Sequence, residues 1–78
     1  MTGTPRTVAT IQKNNFAEVR VQLVRPGGGP PLVDLRVFDL SKPQRGDPFP
    51  TKAGFCLTLD RVPALIEALH AAEREASR

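Results

Sequence analysis

Two alternating runs, held apart by a stretch that neither helix nor strand can enter, constrain this chain most. In residues 16–25, Val19, Val21 and Leu23 alternate with Glu18, Arg20 and Gln22. Residues 32–40 repeat the pattern, with Val33, Leu35 and Val37 on one side and Asp34, Arg36 and Phe38 on the other. A period of two is the signature of a strand with one wet face. Between the runs lies Pro26-Gly-Gly-Gly-Pro-Pro31, too rich in Gly and Pro for anything but a hairpin loop. Only registers that keep the apolar sets on one face survive. Folding about Gly28 sets Arg20 opposite Arg36, Gln22 opposite Asp34 and Glu18 opposite Phe38. A slip of two sets Arg20 opposite Asp34 and Glu18 opposite Arg36. The first juxtaposes like charges, which is destabilising unless an anion sits between them; the second gives weak surface ion pairs. Sequence alone leaves both open.

The rest of the chain completes a β-β-β-β-α order. Residues 7–13 read as a short strand, and Asn14-Asn15 as a turn. Residues 41–50 (SKPQRGDPFP) read as a polar, basic, irregular loop. Residues 51–59 resume as a strand with Phe55, Leu57 and Leu59 facing inward. Asp60 is the expected N-cap of a helix over 60–76, with Pro63 tolerated in its first turn. Val62, Leu65, Ile66, Leu69, Ala72 and Ala76 form its apolar stripe. The predicted class is therefore α+β: a four-stranded antiparallel sheet with one C-terminal helix, in a single domain spanning 1–78. Residues 1–6 are expected to be disordered, and residues 7–59 to form the sheet. The helix stripe is expected to cover the face made by Val19, Val21, Leu23, Val33, Leu35, Val37, Phe55, Leu57 and Leu59. The opposite face carries Arg20, Gln22, Arg36 and Phe38, flanked by Lys52 and Lys13, with nothing in the chain to cover it.

A chain of 78 residues buries only about 60% of its unfolded surface, so its core is marginal. Cys56 is the sole cysteine and His70 the sole histidine, which leaves no internal disulfide and no structural zinc site. Self-association, as a homodimer, is the remedy left. No apolar h-region marks a signal peptide and no run reaches membrane-spanning length, so a soluble, cytoplasmic protein without membrane partners is expected. Residues 1–58 hold eight Lys and Arg against four acidic residues, whereas residues 59–78 hold three against four. The positive field belongs to the sheet, as a polyanion-binding surface requires.

Nucleophilic or metal chemistry finds no support. No Ser/His/Asp or Cys/His set assembles, so neither an enzyme, a metal nor a cofactor is expected. The glycines of 27–29 precede a strand rather than a helix N-terminus and do not form a phosphate-cradling loop. Nucleic-acid contacts are easier to assign. Arg20, Arg36 and Lys52 are placed to neutralise phosphates, with Lys13, Gln22, Lys42 and Arg45 extending the path. An outward Phe38, and Phe49 in the basic loop, either stack bases or fill a sheet edge or dimer interface.

The stretch PLVDLRVFDL, the basic loop, PTKAGFCLTL and the terminal amphipathic helix together resemble one family. It is the single-stranded-DNA-binding C-terminal domain of the transcriptional coactivator positive cofactor four, with its short bacterial relatives. The likeness covers residues 8–72, most distinctly at Val-Asp-Leu-Arg and Pro-Thr-Lys-x-Gly. It implies a strongly curved sheet backed by the helix, a dimer formed partly through the helices, and single strands crossing the basic face. Arg36 and Lys52 match basic positions of that surface, and Phe38 lies near its aromatic. Ala53 departs from the pattern, where relatives often carry a second cation.

The expectation is thus a non-sequence-specific binder of single-stranded DNA, with RNA left open, serving as a transcription cofactor or DNA-transaction accessory near the bacterial nucleoid and touching the transcription machinery. The alternative is a protein–protein interaction module that uses the exposed sheet face or the helix.

Overall fold

The computed structural model describes residues 5–44 and 47–78, and the side chains among them except those of residues 42–44, 47 and 49. Strands β1 (Arg6–Asn14), β2 (Ala17–Val24), β3 (Leu32–Gln44) and β4 (Asp47–Thr58) precede one helix, α1 (Val62–Ala76). The strands pair in chain order as an antiparallel meander. This is the order that the alternating runs predict.

The loop chooses the register. Gly27 and Gly28 take φ of 66° and 74°, a left-handed pair that side-chain-bearing residues enter only at a cost. Gly28 N donates to Arg25 O at 3.0 Å and Gly29 N to Pro26 O at 3.2 Å, closing the turn. The hairpin therefore folds about Gly28, and Arg20 faces Arg36, Gln22 faces Asp34 and Glu18 faces Phe38. Apolar pairs line the other face: Val19 with Val37, Val21 with Leu35, and Leu23 with Val33. β4 adds Phe55 and Leu57 to this face, and β1 adds Ala9 and Ile11.

Three expectations are corrected. Residues 41–50 are not an irregular loop, because β3 runs on to Gln44 and β4 begins at Asp47. β2 starts only at Ala17, opposite Asp39, so beyond that point β3 and β4 form a two-stranded ribbon. Pro43, Pro48 and Pro50 fit there because both strands have an edge that needs no ladder donor. Asp60 is not the N-cap. It sits in a 3₁₀ turn, Leu59–Arg61, and the cap position falls to Arg61, which makes no side-chain capping bond. Nor does α1 cover the sheet. The backbone turns helical directly after Thr58, leaving no extended linker to carry α1 back, and the helix packs chiefly against the 59–61 turn. No residue of α1 is buried. Ile66 and Leu69 remain 49% and 56% exposed, and Phe55 on the sheet 47%.

Shelter lies instead on the polar face. Gln22, Asp34 and Phe38 are the buried residues among those described. No second layer covers them, so the sheet's own bend and long neighbouring side chains must do so. Register shifts fall between Thr7 and Ala9, between Gln12 and Asn14, and between Arg36 and Phe38, and such bulges bend a strand.

The bulge of β4 has a definite construction. Gly54 pairs with Arg36 and Pro50 with Phe38, so residues 51–53 stand opposite Val37 alone and β4 carries two extra residues. Thr51 Oγ1 donates to Val37 O at 2.8 Å and accepts from Ala53 N at 3.2 Å. Gly54 has φ 143°, and a Cβ there would lie 2.2 Å from Leu35 O and 2.9 Å from Arg36 Cα. Backbone cannot yield as a side chain can. Gly54→Ala should therefore cost about 2 kcal/mol or more. Gly27→Ala, whose Cβ meets nothing within 4 Å, should cost about 1 kcal/mol for its left-handed φ alone. Urea denaturation of both variants checks the ranking.

Candidate functional site

The β2–β3 register places four charged side chains on the polar face, with two arginines side by side at the centre. Each strand supplies an acidic residue two positions before its arginine, Glu18 before Arg20 and Asp34 before Arg36, and a two-residue step returns to the same face. Arg20 Nε donates to Glu18 Oε2 at 2.5 Å. Arg36 Nη2 donates to Asp34 Oδ1 at 2.7 Å and its Nε to Oδ2 at 3.4 Å. The like-charge contact across the strands is thus relieved along each strand.

The two arginines are held differently. Arg36 also donates from Nη1 to Lys52 O at 3.2 Å, so all three of its nitrogens are engaged and it ties β3 to the 51–53 bulge. Arg20 uses only Nε in hydrogen bonding, and its guanidinium lies 4.2 Å from the centroid of the Phe38 ring. Such cation–π stacking contributes about 1 kcal/mol when partly desolvated. Phe38 is consequently not the open stacking platform that alternation alone predicts. It points to the expected face but is only 7% exposed, beneath Arg20.

Asp34 is the electrostatic anchor. Burial pushes its carboxyl up, but hydrogen bonds from Arg36 and Cys56, with the charge of Arg36, outweigh this and hold it below its ordinary value of 3.8. The hydrogen bond to Asp34 in turn raises Arg36 above its usual range. Cys56 Sγ donates to Asp34 Oδ1 at 3.1 Å. That bond, with burial and the nearby carboxylate charge, pushes the Cys56 thiol up, which opposes thiolate chemistry.

Of the other expected residues, Gln22 reaches across to β1, donating from Nε2 to Thr7 Oγ1 at 3.3 Å. Lys52 is exposed in the bulge beside Arg36, and Lys13 is exposed at the bulge near the end of β1. Arg45 and the side chains of Lys42 and Phe49 lie outside the described residues. Glu18 and Asp34 belong to the site although the sequence analysis does not count them among its contacts. The signal was present in the repeated acid-x-Arg pattern, Glu18-Val19-Arg20 and Asp34-Leu35-Arg36.

An open hollow on the apolar side, lined by Asn14, Phe16, Val37, Asp39, Ser41 and Thr51 among others, holds ordinary turn contacts. Asn14 Oδ1 accepts from Phe16 N at 2.8 Å, and Asp39 Oδ1 accepts from Ser41 N at 2.8 Å and Ser41 Oγ at 2.6 Å. Among the described residues, no group of three His, Cys, Asp or Glu gathers as a metal ion would require, and no helix is long and apolar enough to cross a membrane. No family model, curated protein or solved structure matches the chain.

The lowered Asp34 value has a stability consequence. A carboxylate whose pKa falls on folding contributes stability above its unfolded value and loses it as pH drops through the folded one. Asp34→Asn should lower stability by about 1–3 kcal/mol at neutral pH, because a charge-assisted hydrogen-bond pair is broken. The gap between wild type and variant should close as pH falls below 3.8. Urea titrations at pH 7 and near pH 3 measure it.

Proposed function

We propose that this protein binds single-stranded nucleic acid, DNA in the first instance, without sequence specificity and as a homodimer. The observation that carries the reading is the pairing of Arg20 with Arg36 on a sheet face that, among the described residues, no second layer covers. A guanidinium presents five N–H donors, and Arg20 commits only its Nε to hydrogen bonding, so donors remain for phosphate. The internal ion pairs cancel the formal charge of both arginines. Long-range attraction therefore falls to the exposed Arg6, Lys13, Arg25 and Lys52, and contact at short range to Arg20.

The dimer follows from the core. Phe38 is the one buried apolar side chain among the described residues, and a protomer so constituted has little to set against its conformational entropy. Each large apolar side chain sealed in an interface is worth about 1.5–3 kcal/mol. Phe55, Leu59, Ile66 and Leu69 are all about half exposed, and together they could form such an interface while leaving the arginine face free. The reading fits the resemblance to the positive cofactor four family and a role as transcription cofactor or DNA-transaction accessory in the cytoplasm of a bacterium. A docking surface for a different protein is the second reading, favoured by the same exposed helix.

Fluorescence anisotropy with a labelled single strand and the matching duplex tests binding. The single strand should bind more tightly, with log affinity falling against log salt by about 0.7 per phosphate neutralised. Lys52→Ala should reduce that slope by about 0.7. Equal affinity for duplex, or a flat salt response, defeats the proposal. Sedimentation equilibrium should give a dimer for wild type and loss of self-association for Leu69→Glu. A monomeric wild type would transfer the apolar surface to the second reading.

A further inference from the structure

Arg20 does two things at once: it pairs with Glu18 and it caps Phe38. We propose that the Glu18–Arg20 pair is an autoinhibitory latch over a nucleobase subsite on the Phe38 ring. The proposal rests on the nucleic-acid reading of this face and adds to it how the face opens and which residue sets its affinity.

The geometry is specific. Glu18 lies directly opposite Phe38 in the register, and Arg20, two residues along, extends over the ring at 4.2 Å from its centroid. The Glu18 carboxylate, bonded to Arg20 Nε, occupies the position relative to the guanidinium that a phosphate oxygen would take. It acts as an internal stand-in for the ligand. Glu18 and Arg20 side chains keep 16% and 24% of their exposure, so the pair is open to competition from solvent. A phosphodiester that draws Arg20 away from Glu18 also lifts the guanidinium off Phe38. The freed ring face then offers a base the stacking surface that alternation assigns to it. Phosphate and base are thereby recognised in one coupled step, which an isolated anion lacking a base cannot complete.

Arg36 cannot serve in the same way. Its three nitrogens are held by Asp34 and Lys52 O, and moving it would release the β4 bulge. The latch is therefore confined to one arginine of the two.

Removing an acidic residue favours any polyanion, so the test is a double-mutant cycle and not a single variant. Full-length wild type, Glu18→Gln, Arg20→Ala and the double variant are titrated with a single strand of about 20 nucleotides carrying one 2-aminopurine. Anisotropy reports affinity and 2-aminopurine quenching reports stacking. Glu18→Gln should bind about fivefold tighter than wild type, the scale of one partly exposed ion pair. In the Arg20→Ala background the same change should give little gain. Arg20→Ala alone should retain quenching while its affinity and salt slope fall, because the ring is left open; Phe38→Leu should abolish quenching. An equal Glu18→Gln gain in both backgrounds would reduce the effect to general charge and overturn the latch. So would quenching that survives Phe38→Leu. If neither wild type nor Glu18→Gln binds the strand, the nucleic-acid reading itself fails, and that outcome is distinct from binding with an additive cycle.

Discussion

The hairpin about Gly28 determines more of this protein than its size suggests. A turn closed by two left-handed glycines fixes the β2–β3 register, and that register brings two arginines together across the strands. Like charges so placed repel, and the fold meets the repulsion inside each strand, with a carboxylate two residues before each guanidinium. One of those pairs then extends outward. Asp34 holds Arg36 and Cys56, Arg36 holds Lys52 O, and Lys52 belongs to the bulge that Gly54 makes sterically possible. Turn, register, ion pairs and bulge are links of one chain of constraint.

That chain of constraint secures the polar face, while the apolar face is left unfinished. In most small α+β domains a helix closes the core over the sheet. Here α1 and the sheet present separate apolar surfaces, and neither covers the other within a protomer. A polar network cannot replace a core, since net hydrogen-bond contributions are small beside the entropy of ordering a chain. Folding would then be linked to association, and the stability of the protomer would depend on its concentration. On the proposed reading this division is useful: the partner takes the apolar surface and the arginine face stays accessible.

How much of this was legible in the sequence depends on whether local rules were enough. Alternation placed β2 and β3, the stripe of Val62, Leu65 and Ile66 placed α1, and the side on which each residue of the central hairpin lies followed from the period of two. The register did not follow. It turns on the left-handed pair Gly27–Gly28, against a competing alignment that would pair opposite charges across the strands. The irregular reading of residues 41–50 does not hold because a polar, proline-containing segment can still form a two-stranded ribbon when each strand has a free edge, which local sequence does not reveal. The helix was expected over the sheet because a marginal core demands a cover, and sequence does not say whether that cover comes from the same chain. Phe38 lies on the face that alternation assigns to it, but it is buried, with Arg20 stacked over its ring, a contact that exists only once the strands are aligned.

The contrast between the two arginines bears on why such a face would bind weakly reading, exchangeable contacts. Were both guanidinium groups unpaired, the face would attract any anion strongly, and the repulsion between strands would work against the fold. Were both engaged as Arg36 is, a ligand could gain a phosphate contact only by dismantling the bulge. The observed arrangement separates the roles, with Arg36 bound on three nitrogens and Arg20 on one. Exchange of Glu18 for a phosphate at Arg20 replaces one charge-assisted bond by another, so its net free energy is small. On the proposed reading, a strand would add this one near-balanced exchange to the attraction of the exposed Lys13 and Lys52, and gain affinity from the sum and not from any one contact. That is the energetic form that binding without sequence preference takes.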